Sequence, residues 1–349
     1  MKLRKHLMIV TILTALTSIM ADEEVKLFPI VKDGKWGYMD ENGKVVIEPQ
    51  YEAAYDFSEG LACVIVNGWR GFIDRTGTMV IKPEFAWAGR FCEGLAPVYN
   101  EKSDFAGRPQ FYRPTSGRFC CIDKKGKVVT DCSTAGFREG KTVVNRKICL
   151  DRDGKKIEHD ADELYLFSEG LAGARKGGLW GYLDHSMKWA IPPQFHNVDR
   201  FSEGLAGVAK ADPPPPASGQ TWDWLKRAKF TWGFCDREGK MVIDFKFEDA
   251  WHFSEGLAAV RIGGKWGYID KTGKVVIEPA YDYAWPFSEG LGRVLVGEKQ
   301  GYIDRNGKMV IQPQYQPAWE FSNGLARVTI DGKEGYINHK GEYVWVPTK

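Results

Sequence analysis

The side chains that could perform metal or redox chemistry are few and scattered. The 349 residues include seven cysteines and six histidines, but no Cys-x-x-Cys pair and no histidines at metal-ligand spacing. The segment at residues 151–154 (DRDG) has the opening spacing of a calcium loop and lacks the remaining ligands. We therefore predict no metal and no cofactor.

Glutamates recur at one position of a repeated F-S-E-G-L segment, which invites a catalytic interpretation. They are Glu59, Glu169, Glu203, Glu255 and Glu289. A residue present in nearly every copy serves what every copy needs, here a turn in which Ser bonds the backbone and Gly takes a positive φ. No catalytic Ser, His and Asp order and no phosphate-binding loop accompany them. The sequence predicts a protein that is not an enzyme; an enzyme with its site in the inserted loops is the weaker alternative.

The odd number of cysteines leaves at least one thiol unpaired or intermolecular. Four of them cluster at Cys120, Cys121, Cys132 and Cys149. Cys121 and Cys149 occupy equivalent positions in adjacent repeats, so a Cys121–Cys149 disulfide is a hypothesis; it would close a loop of about 28 residues. The alternative is that the cysteines are small buried hydrophobic residues, as expected for Cys63.

The elements that would position any site are copies of one unit. Residues 257–290 match residues 291–324 at a shift of 34, and a third copy covers residues 35–60. A closing Phe marks the end of each unit, with successive spacings of 34, 46, 30, 34, 52, 34 and 34. These residues are Phe57, Phe91, Phe137, Phe167, Phe201, Phe253, Phe287 and Phe321. A ninth, incomplete copy ends the chain at residues 325–346.

Each unit is predicted to form a meander of three antiparallel strands, at residues 257–262, 265–270 and 274–278 in the clearest copy. Trp266, Tyr268 and Asp270 alternate with Gly267 and Ile269, the period of a half-buried strand. An Asp-x-x-Gly hairpin turn follows, a proline ends the third strand, and an aromatic connector leads to the closing Phe.

One such unit cannot bury enough apolar surface to be stable, so neighbouring units must stack. We predict an all-β array of about nine units over residues 22–349, with units three and four degenerate, forming an open superhelix or solenoid. A closed ring of the β-propeller type is the alternative. Both chain ends carry the same phase of the repeat, and nine exceeds the usual blade number, which favours the open form.

The repeated dipeptide resembles the WG (KWG) repeat family. The match is specific at Trp36-Gly37, Trp180-Gly181, Trp232-Gly233 and Trp266-Gly267, and weaker copies extend it over residues 28–346. Gln300 and Glu334 replace the Trp in the last two units. The family is known from bacterial proteins, usually without an assigned activity, so the resemblance implies architecture and leaves function open.

Two units contain insertions at the tip of the hairpin between their first two predicted strands, at about residues 100–117 and 211–229. Insertions on one face of a repeat array often form its binding surface. The candidate contact residues are aromatic and basic side chains, typical of interface anchors and sugar-stacking platforms. They are Phe105, Arg108, Phe111, Tyr112, Arg113, Trp222, Trp224, Lys226 and Arg227. The alternative is a pair of tolerated surface loops whose Trp residues fold back onto the array.

Residues 1–21 combine a basic start, an apolar run and a small residue before Asp22, the layout of a signal peptide. We therefore expect an extracytoplasmic protein, periplasmic or secreted, with no membrane span in the mature chain; an uncleaved anchor is the alternative. With 48 basic and 46 acidic residues and no block of like charge, nothing favours nucleic acid.

The sequence as a whole favours an exported scaffold for protein binding, with an unknown protein partner docking on the inserted tips. A binder of carbohydrate or of a cell-envelope glycan is the alternative, suggested by 13 Trp. Exposure of the repeat Trp side chains distinguishes the two.

Overall fold

The computed structural model describes residues 25–99, 119–132, 136–215, 224 and 227–348. In these residues the chain forms nine antiparallel sheets, each made of consecutive strands. We call the sheets blades 1 to 9 in chain order.

The first five blades cover the N-terminal half. Blade 1 contains Phe28–Lys32 (β1), Lys35–Met39 (β2) and Val45–Tyr51 (β3). Blade 2 contains Ala53–Ala54 (β4), Ala62–Val66 (β5), Trp69–Ile73 (β6) and Met79–Phe85 (β7). Blade 3 contains Trp87–Ala88 (β8), Leu95–Tyr99 (β9), Phe119–Asp123 (β10) and Val128–Cys132 (β11). Blade 4 contains Lys141–Val144 (β12), Ile148–Asp151 (β13) and Lys156–Ile157 (β14). Blade 5 contains Glu163–Ser168 (β15), Leu171–Lys176 (β16), Leu179–Asp184 (β17) and Trp189–Phe195 (β18).

The remaining four blades repeat the plan. Blade 6 contains Asn197–Ser202 (β19), Leu205–Asp212 (β20), Lys229–Cys235 (β21) and Met241–Phe247 (β22). Blade 7 contains Asp249–Ala250 (β23), Leu257–Ile262 (β24), Lys265–Asp270 (β25) and Val275–Tyr281 (β26). Blade 8 contains Tyr283–Ser288 (β27), Leu291–Val296 (β28), Lys299–Ile303 (β29) and Met309–Tyr315 (β30). Blade 9 contains Leu325–Ile330 (β31), Lys333–Asn338 (β32) and Tyr343–Thr348 (β33).

A complete blade therefore has four strands, one more than predicted. The predicted strands at residues 257–262 and 265–270 are confirmed as β24 and β25. The aromatic connector is itself a strand, because residues such as Tyr283 and Ala284 pair with the first predicted strand of the following unit. The F-S-E-G segment is thus a hairpin turn between the first and second strands of a blade.

The prediction that proline ends the last strand is wrong, because β26 continues through Pro279 to Tyr281. The pairing of β25 with β26 shifts register at this point, because Tyr268 pairs with Ile277 whereas Trp266 pairs with Tyr281. The bulge between these pairs brings backbone against Gly267, where an added Cβ would lie 2.5 Å from the Ile277 carbonyl oxygen. The glycine of the WG dipeptide is therefore required by a close backbone approach.

The hydrophobic core lies between blades and repeats with them. In six of the turns the closing Phe packs against the aromatic residue after the WG glycine, or after its counterpart, in the preceding blade; Phe287 and Tyr268, for example, have ring centroids 4.8 Å apart. The same pair recurs as Tyr38–Phe57, Phe72–Phe91, Tyr182–Phe201, Phe234–Phe253 and Tyr302–Phe321. Each edge-on contact contributes about 0.5–1.5 kcal/mol beyond area burial. The repeated residues are thus confirmed as packing residues.

The blades close into a ring, so the open superhelix is wrong and the alternative, a nine-bladed β-propeller, is right. Blade 9 packs against blade 1 through Tyr336, whose ring lies 5.7 Å from Phe28 and whose hydroxyl donates to the Pro29 carbonyl oxygen at 3.0 Å. No blade mixes strands from both ends of the described chain. Side-chain contacts between blades 9 and 1 close the ring in place of a sheet shared by both chain ends. Both chain ends can therefore carry the same phase of the repeat.

Antiparallel order places the turns on two opposite faces. The S-E-G turns and the Asp-x-x-Gly turns lie at one end of the blades, which we call the turn face. The hairpins between second and third strands lie at the other end, which we call the tip face. Both insertions, after β9 in blade 3 and after β20 in blade 6, lie at tip-face hairpins, a third of the ring apart.

Candidate functional site

Most residues predicted to contact a partner fall in segments of the two inserted tips that lie outside the described residues. These are Phe105, Arg108, Phe111, Tyr112, Arg113, Trp222 and Lys226. Residues 1–21, the predicted signal peptide, also lie outside them. The structure therefore places two candidates, Trp224 and Arg227.

Trp224 is an anchor inside the second tip. Its side chain is 3% exposed, and its Nε1 donates to the carbonyl oxygens of Pro213 at 2.9 Å and Pro214 at 3.1 Å. Its ring packs edge-on against Phe230 at a centroid distance of 5.8 Å. Trp224 thus folds back, as the alternative anticipated, and offers no free indole face. Arg227 is exposed and remains a candidate contact.

A carboxylate in the link between blades caps the tips of four blades. Glu248, between blades 6 and 7, accepts a hydrogen bond from the Gly264 amide at 3.1 Å, and Asp282 accepts one from the Gly297 amide at 2.7 Å. The same contact joins Glu52 to Gly68 and Asp162 to Gly177. The carboxylate satisfies an amide that the tight tip leaves unpaired.

The two blades with inserted tips have lost this carboxylate. Ala86 stands at the equivalent position before blade 3, and His196 stands before blade 6. His196 Nδ1 accepts from the Ala211 amide at 2.7 Å, and burial followed by the Lys210 charge lowers the pKa of the imidazole. Gln316 stands at the same position before the ordinary tip of blade 9, so loss of the acid is not confined to the inserted tips.

The turn face carries a chain of contacts made by the repeated glutamates. Glu255 and Gly256 both have positive φ, at 53° and 79°, as a two-residue type I′ hairpin requires. The Glu255 carboxylate accepts from the amide of Gly290 in the next blade at 3.0 Å, and Ser254 Oγ donates to the Phe287 carbonyl at 2.7 Å. These glutamates therefore join blades.

A cavity of about 520 Å³ opens on the ring axis, where the first strands of several blades meet. Blades 3 to 6 line it, and its basic residues are Arg90, Arg138 and Arg200. On the other side of the axis the comparable space is filled: the Arg293 guanidinium lies 3.9 Å from the Trp285 ring centroid, and Arg327 lies 4.2 Å from that of Trp319.

A second cavity, of about 560 Å³, lies at the seam of the ring. Trp36, Tyr55 and Trp87 line it together with Arg70 and Glu334. Arg70 and Glu334 stand where other blades carry the Trp of the WG dipeptide. Two departures from the motif therefore line this cavity.

The Trp residues of the four clear WG dipeptides are packed rather than displayed. Trp180 and Trp266 are 4% and 3% exposed, and Trp36 and Trp232 are half-buried. The repeat itself thus supplies no row of exposed indoles for sugar stacking.

The cysteines are connected differently from the hypothesis. Cys121 in β10 is bonded to Cys132 in β11, with their Cα atoms 5.7 Å apart, whereas Cys149 is a buried free thiol. The partner lies on the neighbouring strand of the same blade, which is nearer than the equivalent strand of the next blade. Cys121 replaces the aromatic residue that other blades pack on the closing Phe, and the disulfide lies beside Phe137 instead. Burial raises the pKa of the Cys63 thiol to about 12, which suits a small buried hydrophobic residue.

Across the described ranges, no group of three or more His, Cys, Asp or Glu side chains is arranged to hold a metal ion. No helix in this part of the chain is long and apolar enough to cross a membrane.

A family model described as "WG containing repeat" matches residues 36–68, 71–102, 162–180, 180–212, 232–266, 266–299 and 301–333. These matches cover more than half of the sequence, so the chain belongs to the WG-repeat family. Its blades 3 and 4, with the disulfide and the lost WG dipeptides, are the least typical part.

Comparison with curated proteins finds no match. Among solved structures, the chain is similar to the crystal structure of a eukaryotic initiation factor at 13% identity and a TM-score of 0.60, over 93% of this chain and 98% of that one. Hsv2p of Kluyveromyces lactis gives 8% identity and a TM-score of 0.38, over 85% and 97% of the two chains. PorZ of Porphyromonas gingivalis, a surface component of the type-IX secretion system, gives 9% and 0.34, over 83% and 45%. At these identities the initiation factor bears on the fold alone, and the other two support no argument.

Proposed function

We propose that the protein is an exported, non-enzymatic scaffold that binds a protein partner on its tip face, through the inserted hairpins of blades 3 and 6. The observation that carries the proposal is the anchoring of the second tip. Trp224 donates hydrogen bonds to the carbonyls of Pro213 and Pro214, so two points of the insertion are tied together. Such a tie reduces the conformational entropy that a loop loses on binding.

Position on the ring supports the same conclusion. The two insertions share one face of the ring. Arg227, near the end of the second insertion, is exposed and basic. Export rests on the layout of residues 1–21.

The alternative function, binding of carbohydrate, has weaker support. Its platforms were to be the repeat Trp side chains, and those of the clear WG dipeptides are buried or half-buried. We therefore keep a protein as the proposed partner.

The test is a variant in which blade 6 receives the short tip of blade 7. Residues 211–230 are replaced by Gly-Gly, and His196→Glu supplies the carboxylate that caps this tip in blade 7. The ring should unfold within about 2 °C of the original, because the tip lies outside the cores between blades. The original mature chain should retain proteins from an extracytoplasmic extract that the replaced chain does not. Asn67→Gly, which makes a Gly-Gly tip on blade 2, is the matched control and should retain them. Equal retention by the replaced chain would place binding elsewhere.

A further inference from the structure

The cavity lined by blades 3 to 6 owes its space to the residues at one repeat position. Gly173 of blade 5 and Pro97 of blade 3 both line the cavity and occupy the position of Arg293 in blade 8. In blade 8 the Arg293 guanidinium covers the Trp285 indole and the space is filled. A Cβ added to Gly173 would already lie 3.1 Å from atoms of Tyr165 and Val198. The cavity is therefore made by residue choice within an intact fold.

Arg138 occupies the serine position of the S-E-G turn. In the regular blades this serine donates to the next blade, as Ser168 does to the Phe201 carbonyl at 2.8 Å. Blade 4 has exchanged that bond for a guanidinium directed at the cavity wall. Departures from a stabilising repeat pattern are expected where a protein has a function to serve.

The positive charge of the cavity is largely unbalanced. Arg90 and Arg138 make no side-chain hydrogen bond or ion pair with any residue that the structure describes. Arg200 donates to His252 Nε2 at 2.9 Å. Asp199 is the one acidic residue among those lining the cavity, and it lies 3.5 Å from His252 Nδ1. Three guanidinium groups thus face a single carboxylate that already has a partner.

We propose that this cavity binds a small organic anion carrying at least two carboxylate or phosphate groups. Guanidinium groups bind both kinds of oxyanion through paired hydrogen bonds, and basic groups from blades 3, 4 and 6 can contact separate acid groups of one molecule. About 520 Å³ matches the size of small-molecule sites. Tyr165 and Val198 supply an apolar wall for the carbon skeleton. This site is independent of the tip face.

Isothermal titration with citrate and with pyrophosphate tests the proposal on the full mature chain. At least one of the two should bind, and Arg138→Ser should weaken that binding at least tenfold. This substitution installs the serine of the regular blades, so the unfolding temperature should stay level or rise. Arg261→Ser, which removes an exposed arginine of blade 7 that does not line the cavity, should leave binding unchanged.

Arg90→Gln should weaken binding in the same way, and it replaces Arg138→Ser should that variant fail to fold. Absence of binding by both probes at millimolar concentration overturns the proposal, as does unchanged binding by Arg138→Ser and Arg90→Gln. Equal weakening by Arg261→Ser would also overturn it, because net charge alone would then account for binding. Binding of an acidic peptide without binding of either probe would count against a small-molecule site.

Discussion

Glu203 of blade 6 accepts a hydrogen bond from the backbone amide of Gly256 in blade 7, at 3.0 Å, across the gap between the two blades. Lys271 of blade 7 lies 3.1 Å from the same carboxylate. Glu203 has a φ of 55°, a region that costs a residue with a Cβ about 1 kcal/mol. The repeat thus keeps Glu in an unfavourable backbone conformation because its carboxylate bonds the next blade.

The sign of one substitution tests this interpretation. Asn tolerates positive φ better than Glu, and Asn323 occupies this position in blade 9 with a φ of 57°. We expect Glu203→Asn nonetheless to lower the unfolding free energy by about 1 kcal/mol, since the bond between blades is lost. Differential scanning calorimetry would measure it, with Glu238→Asn in a neighbouring exposed turn as the control. A rise in the unfolding temperature would mean that backbone strain outweighs the bond.

The disulfide gives a second prediction. Closing the loop between Cys121 and Cys132 should contribute about 3 kcal/mol in the entropic model, so Cys132→Ala should destabilise the protein by roughly that amount. Reductant should lower the unfolding temperature of the original chain and have little effect on Cys132→Ala. Peptide mapping without reduction should recover Cys121 joined to Cys132, and recovery joined to Cys149 would contradict the structure.

Trp224 should affect the protease resistance of the second tip and have little effect on the stability of the ring. Trp224→Ala removes the hydrogen bonds to Pro213 and Pro214, so limited proteolysis should cut residues 213–229 faster while the unfolding temperature changes by less than about 2 °C. Trp266→Ala, a truncation within the core, should instead cost about 3–5 kcal/mol without exposing the tip. Equal protease resistance of the original and Trp224→Ala tips would show that the anchor is dispensable.

Acid should destabilise the Asp-x-x-Gly turns. Hydroxyl groups of Thr76, Ser186 and Thr272 donate to Asp74, Asp184 and Asp270, and these bonds are the main cause that holds the pKa of each carboxyl below its usual range. A lowered pKa in the folded state stabilises the fold above the unfolded pKa, near 4, and this stabilisation disappears as the pH falls through the folded value.

The unfolding temperature should therefore drop as the pH falls below about 4. The triple variant Thr76→Val, Ser186→Ala, Thr272→Val should be less stable at neutral pH and lose less on acidification. Parallel pH curves for the two chains would exclude the hydroxyl groups as the cause.

Local patterns of the sequence were sufficient for most of the blade. Alternation around Trp266 and Tyr268 gives the correct third strand, and the Asp270 turn forms as expected, with Asp270 Oδ1 accepting from the Thr272 and Lys274 amides at 2.9 and 3.1 Å. The first strand of the blade was missed because Tyr283–Ser288 is short and aromatic, and its partner belongs to the next unit. The prediction that Pro279 ends its strand failed because the bulge that accommodates the proline depends on Gly267, which lies on another strand.

Closure and the axial cavity could not be read in the same way. Whether nine units form a ring depends on small rotations summed over all blades, and the contacts that close it, such as Tyr336 with Pro29, join residues at opposite ends of the chain. The basic residues of the cavity come from three separate units, and each alone resembles an ordinary surface arginine. Comparison of equivalent positions, such as Gly173 with Arg293, would have revealed the emptied space.

The hydrogen bonds accepted by the glutamate carboxylates on the turn face run in one direction, each joining a blade to the turn of its successor. A single unit therefore carries both halves of the joint, the carboxylate for the next blade and the amide for the previous one. Duplication or loss of one 34-residue stretch of coding sequence would create two compatible surfaces wherever it occurred. The seam between blades 9 and 1 depends on its own side chains, so evolutionary changes in blade number must be accommodated there.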